Sequence, residues 1–170
     1  MIMQQYGDVV WRTAWRLLRN DADVRDCFQE TFISAMEAGR RGEIRNWPGL
    51  LQRIATARAL DLLRKQKSYK LFVSQSDHDA VTQAADPVRQ VLDSELMDQL
   101  RAALRELPSQ QSEIFCLRHL NEMSYEEISA EMGLSVDHVG VLLHRARGRL
   151  RELLVSEDIG LQQNRKVNHV

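Results

Sequence analysis

Apolar positions recur every three to four residues along most of this chain, a period that predicts helices rather than strands. Residues 4–19 set Val9, Val10, Ala14, Leu17 and Leu18 on one stripe, with Trp11 and Trp15 on the adjoining one. A second helix, 22–38, carries Cys27, Phe28, Phe32, Ala35 and Met36. Asn20 and Asp21 are its N-cap candidates, acidic residues fill its first turn as the helix dipole prefers, and Gly39-Arg-Arg-Gly42 ends it. A third opens at Asn46-Trp-Pro48, a cap with proline in the first turn, and runs to 67. No period holds from 68 to 86, a long stretch for the inside of a compact domain and therefore a linker. Pro87 starts a fourth helix to 107, and Pro108 breaks it and begins a fifth over 109–120. Ser124-Tyr-Glu-Glu127 is a capping box for a short helix that stops at Gly133. Ser135 caps the last helix, 136–154, and 155–170 read as a frayed polar tail. The expected fold is all-α: two small helical domains, 1–67 and 87–154, joined by a flexible linker over 68–86.

The segment 124–154 is the informative one. A capped short helix, a Gly133-Leu134-Ser135 turn and a second capped helix have the spacing of a helix-turn-helix, whose second helix enters the major groove of DNA. Val139, Leu143, Ala146, Leu150 and Leu153 repeat at intervals of four and three, the buried face. Asp137, Gly140, Val141, His144 and Gly148 lie opposite, with Arg145, Arg147, Arg149 and Arg151 on the flanks and C-terminal half. An αα-hairpin in a plain bundle has the same spacing.

Composition narrows the choice. A chain of 170 residues, 44% hydrophobic and 28% charged, can build one ordinary core or two small ones. Its net charge of −1 hides two basic islands. Residues 40–70 hold nine basic and two acidic side chains, 71–113 hold three basic and eight acidic, and the last helix is again net positive. A solvated helix face is the plain alternative for any one island. No apolar run approaches the roughly 18 residues of a membrane helix, and the N-terminus lacks a basic n-region and an apolar h-region. A cytoplasmic protein without membrane contact is expected. Cys27 and Cys116 form neither a disulfide framework nor a metal signature. Cys116 and His119 are half a zinc pattern with no second pair, and the remaining histidines are scattered. There is no glycine-rich phosphate loop and no nucleophile elbow, so neither cofactor nor enzymatic activity is expected.

Three motifs in register carry a resemblance. Leu107-Pro-Ser-Gln-Gln-Ser-Glu-Ile-Phe115, Met123-Ser-Tyr-Glu-Glu-Ile-Ser129 and His144-Arg-Ala-Arg-Gly-Arg-Leu-Arg151 together resemble region 4 of the extracytoplasmic-function (ECF) sigma factors of the sigma-70 family. Asn20-Asp-Ala-Asp23 with Asp26-Cys-Phe-Gln-Glu-Thr-Phe32 resembles the region 2 helix that docks on core RNA polymerase, and the segment from Arg53 to Lys65 resembles the helix that meets the minus-10 element. The resemblance implies polymerase binding by Asp26, Gln29, Glu30 and Phe32, as an acidic-polar rim around an aromatic anchor; Phe32 as core is the competing view. It implies minus-10 contacts by Arg53, Arg58, Arg64, Lys65 and Lys67, and by Arg40, Arg41 and Arg45 in a loop that receives an extruded base. It implies minus-35 contacts by Asp137, His138, Gly140, Val141, His144, Arg145 and Arg147. Core RNA polymerase, promoter DNA and an anti-sigma factor are the implied partners. Ala57 stands where the family usually has asparagine and Leu50 where it often has tryptophan. His138, Gly140, Val141 and Leu142 replace its common recognition-helix pattern, and the leader before the first helix is short or missing. Two other classes share parts of this pattern: a helix-turn-helix regulator independent of polymerase, and a helical adaptor that binds protein only.

Overall fold

The computed structural model describes residues 2–70 and 87–167, and the side-chain surroundings of 2–66 and 94–155. The described residues form seven helices and no strand: α1 (Ile2–Leu18), α2 (Asp21–Arg41), α3 (Trp47–Lys70), α4 (Pro87–Glu106), α5 (Ser109–His119), α6 (Tyr125–Met132) and α7 (Val136–Val167). The all-α expectation holds. Of the linker expected over 68–86, the last turn of α3 takes 68–70 and the rest lies outside the described residues.

The helix starts follow from their caps. Asn20 Oδ1 accepts from the Asp23 N–H at 2.8 Å, a cap worth about 1 kcal/mol. At α6, Ser124 Oγ accepts from the Glu127 N–H at 3.1 Å while Glu127 Oε2 accepts from the Ser124 N–H at 2.7 Å, closing the capping box. Gly133 sits at φ 65°, the left-handed end that a side chain would strain. Ser135 Oγ then accepts from the His138 N–H at 3.2 Å to start α7.

Two helix ends differ from the periodic reading. α2 does not stop before Gly39 but continues to Arg41, because Gly39 is a packing position: its open side meets Ile44 and Trp47 at contact distance. Arg40 and Arg41 are thus on the last turn of a helix, where cations complement its dipole, and not in a loop. α7 likewise continues past 154 to Val167, so most of the expected frayed tail is helical.

Three apolar clusters hold the helices. Val10, Phe32, Ala35, Leu51 and Ala55 close α1, α2 and α3 together. Ile114, Leu117, Met123, Ile128, Val139, Leu142 and Leu143 close α5, α6 and α7. The largest joins the two halves: Leu17, Leu60 and Leu63 on one side meet Leu104, Leu107, Cys116, Ala146 and Leu150 on the other. Full burial of each such leucine contributes about 1.5–3 kcal/mol. α3 is the hub, flanked by α1 and α2 on one side and by α4, α5 and α6 on the other. The two helical domains are therefore packed on each other.

Candidate functional site

Three surfaces gather the residues singled out from the sequence. The first is the outward stripe of α2. Asp26, Gln29 and Glu30 are exposed and line a groove against Arg58, Asp61, Leu62 and Lys65 of α3. Arg58 reaches Glu30 at 3.9 Å and Ser34 Oγ at 3.4 Å, a loose, solvent-facing arrangement of small energetic weight. Phe32 does not belong to this stripe. It is 4% exposed and packs on Phe28, ring centroids 5.0 Å apart, so it is part of the core, the competing view of this residue. The reason is helical arithmetic: Val24, Cys27, Thr31, Phe32 and Ala35 share the buried stripe, and the exposed large apolar residues off it are Ile33 and Met36. Those two are 51% and 56% exposed, and the sequence reading missed Ile33 and assigned Met36 to the buried side.

The second surface is α3, and it is divided. Arg58 and Lys65, two turns apart, are exposed and border the α2 groove. Arg53 and Arg64, three turns apart on a different stripe, face α5 and α6. Arg64 Nη2 donates to Ser112 Oγ at 2.7 Å, and Nη1 lies 3.4 Å from Asp61. Arg53 Nε is enclosed and, among the described residues, has no hydrogen-bond partner. Two carboxyls surround this stripe. Burial holds Glu113 above the usual carboxylate range, with Arg53 and Arg64 pulling partly back and Asp61 adding to the rise. Burial raises Glu131 as well, opposed by Arg53 and by a hydrogen bond from Asn46. Arg64 is thus bonded within the protein, and Arg53 is partly enclosed beside these two carboxyls. Arg40, Arg41 and Arg45 are exposed, and the side chain of Lys67 lies outside the described residues.

The third surface is the outer face of α7. Val139, Leu143, Ala146 and Leu150 are buried, as their spacing predicts, and Leu142 joins them. Asp137, His138, Val141, His144, Arg145 and Arg147 are exposed together, while Gly140 is half-buried against Tyr125. Arg147 donates from Nε and Nη2 toward His119 Nε2 at 3.3 and 3.2 Å, and the His119 ring packs on Phe115. Only a neutral imidazole can accept there, and burial together with Arg147 and Arg118 holds His119 below its usual range. Cys116 and His119 do not converge as ligands: Cys116 is fully buried with its thiol pushed up by burial, and His119 is exposed.

This order of helices and faces matches known proteins. Residues 2–69 match the family model of sigma-70 region 2, and residues 97–150 that of sigma-70 region 4. An RNA polymerase sigma factor of Bacillus subtilis, YlaC, is 31% identical over 89% of this chain and 88% of its own length. The chain belongs to the ECF branch of the sigma-70 family. The ECF sigma factor SigE of Mycolicibacterium smegmatis is 34% identical over 90% of this chain, which spans 60% of that longer protein. Among solved structures, the sigma factor RpoE of Bartonella quintana, in complex with the anti-sigma factor NepR, superimposes with a TM-score of 0.55 at 25% identity, covering 89% of this chain and 94% of that one. CnrH in complex with the cytosolic domain of CnrY shares the fold, with a TM-score of 0.60 at 24% identity over 91% and 85% of the two chains. The region 2 match thus spans α1, α2 and α3, and the region 4 match runs from the middle of α4 into α7. Among the described residues no helix is long and apolar enough to cross a membrane.

Proposed function

We propose that this ECF family member lends promoter specificity to core RNA polymerase in the cytoplasm, through the three surfaces. The α2 stripe takes the polymerase: Ile33 and Met36 form an apolar centre, and Asp26, Gln29 and Glu30 its acidic-polar rim, the usual composition of a protein interface. The basic residues of α3, with Arg40, Arg41 and Arg45 at and beyond the end of α2, neutralise phosphates around the melted minus-10 strand. The outer face of α7 takes the minus-35 duplex. Val141 packs on a thymine methyl, His144 donates to a base acceptor, and Arg145 and Arg147 hold phosphates, with Asp137, His138 and Gly140 at the approach. Bond formation stays with the polymerase. By likeness to the RpoE–NepR complex, an anti-sigma protein is the further partner.

The observation that carries the reading is a capped helix-turn-helix with an exposed outer face standing behind a region 2 domain whose α2 stripe is also exposed. Run-off transcription with purified core polymerase over promoters from the chain's own genome tests it. A stable complex and promoter-specific transcripts are expected. DNA binding of full specificity without polymerase would favour the independent regulator instead.

A further inference from the structure

Arg147 is held from outside its own helix. Its Nε and Nη2 both point at His119 Nε2, in the last turn of α5, at 3.3 and 3.2 Å. Those two nitrogens form one edge of the guanidinium, so the edge shared by Nη1 and Nη2 is left open. The imidazole is itself fixed, because its ring packs on Phe115 with centroids 4.7 Å apart. Burial, Arg147 and Arg118 together disfavour the imidazolium, which keeps the Nε2 lone pair available and the ring proton on Nδ1. The neighbouring Arg118 is directed elsewhere: its Nη1 donates to the Met123 carbonyl at 3.0 Å and its guanidinium lies over the Tyr125 ring. Position completes the picture. A helix turns by about 100° per residue, so Arg147 stands roughly a quarter turn from the stripe of Val141 and His144. It lies on the flank that meets the rim of a groove, not its floor.

We infer that His119 is a positioning residue for the minus-35 contact: its imidazole takes the Nε edge of Arg147 and so presents the Nη1–Nη2 edge to a backbone phosphate at the rim of the groove. The inference rests on the reading of the α7 outer face as the minus-35 surface. Paired N–H groups on that edge match two phosphate oxygens, a bidentate contact whose geometry must be set in advance. An arginine already held by a neighbour loses less rotamer freedom on binding than one that moves freely, and the gain appears as affinity. Both residues are exposed, so their hydrogen bond carries little folding energy and its role lies in recognition. His119 acts through Arg147 and touches no base. Because a phosphate is the same at every base pair, the pair adds affinity without adding sequence preference.

Binding of promoter duplex by the full chain assembled with core polymerase, at about pH 8 where the imidazole is neutral, tests this. His119→Phe keeps a ring on Phe115 and removes the acceptor. It is expected to weaken binding about three- to tenfold, by the same factor on the preferred minus-35 element and on a scrambled one. His119→Gln, whose amide oxygen can stand where Nε2 stood, is expected to stay within about twofold of the wild type. In an Arg147→Ala background, His119→Phe should cost nothing further, the mark of two residues acting as one. His119 is exposed, so these variants should fold as the wild type does. A His119→Phe holoenzyme that binds like the wild type, while Arg147→Ala binds more weakly, would overturn the inference alone. So would His119→Gln as weak as His119→Phe, or a His119→Phe loss that persists in full once Arg147 is alanine. If Arg147→Ala itself binds like the wild type, the phosphate reading of Arg147 falls, and the inference falls with it.

Discussion

The two helices that carry most of the basic charge sit in opposite situations. α7 is buried along one side and turns the other outward, where its cations are exposed and engaged at most by exposed partners, Arg147 by His119 and Arg149 by Glu152. α3 is walled on two sides, and two of its arginines face the second wall, where Arg64 is bonded to Ser112 and Arg53 Nε is enclosed. The contrast teaches that a helical period locates free surface only when one stripe is buried. Where two stripes are buried, apolar and basic positions interleave, and a count of arginines overstates what a partner can reach.

The largest effect expected is on α2, where the same contrast appears between neighbours. Phe32→Ala should lower the unfolding free energy by about 3–5 kcal/mol, as for other buried phenylalanines, whereas Ile33→Ala should stay within about 0.5 kcal/mol yet weaken capture of core polymerase. Urea denaturation and a polymerase pull-down read the two quantities separately. Equal stability losses would mean that the outward stripe is misplaced.

Leucines separate the helices next. Leu60→Ala and Leu143→Ala each remove a fully buried side chain and should each cost about 2–5 kcal/mol. Their reach differs. Leu143 belongs to the cluster of α5, α6 and α7, so its loss should raise hydrogen exchange in the C-terminal half alone. Leu60 belongs to the shared cluster, so its loss should raise exchange in both halves.

On the free face of α7, base readers and phosphate holders should part company. Val141→Ala and His144→Ala are expected to shift base preference at one or two minus-35 positions, by about 1–3 kcal/mol where a good contact is lost. Arg147→Ala should weaken all sequences alike and lower the salt slope by about 1. Selection from a randomised minus-35 element with holoenzyme measures both. A preference that vanishes on Arg147→Ala would make Arg147 a base reader.

The smallest effects are in pH, and the two helices should respond with opposite sign. Glu113, beside α3, has its protonated form favoured by burial, so the folded state binds this proton more readily than the unfolded one. Its ionisation therefore works against stability as pH rises from the ordinary carboxylate value through the raised one. Glu113→Gln should match the wild type in acid and be the more stable near neutral pH. His119, beside α7, is held below its usual range, so here the unfolded state binds the proton more readily. Stability from this group is complete above the ordinary histidine value and is lost as pH falls through it toward the lowered one. His119→Gln should abolish that loss. Urea midpoints between about pH 5 and pH 8 follow both trends.

Much of this molecule was legible residue by residue. The caps at Asn20, Ser124 and Ser135 and the left-handed Gly133 are local chemistry, decided within four residues of chain, and all appear in the structure. The buried face of α7 was legible for a related reason: a helix packed along one side repeats its apolar residues at three and four, and Val139, Leu143, Ala146 and Leu150 do so. Phe32 was legible in principle. Its place on the stripe of Val24, Cys27, Thr31 and Ala35 follows from spacing, but the motif that contains it drew attention to its type instead of its angle.

Sequence pattern alone was enough for the helical class, the helix-turn-helix and the three motifs in register, because each depends on neighbours within one or two turns. The roles of Gly39, Thr56, Asn121, Arg53 and Arg64 required the folded chain. Gly39 is a packing surface for a tryptophan eight residues on, Asn121 bridges two threonines 65 and 108 positions away, and Arg64 meets a serine 48 positions away. Contacts of that range leave no period in the chain. They arise when two helical halves, each with its own apolar cluster, still hold enough apolar surface to close on a common helix, and that closure sets which charges remain free.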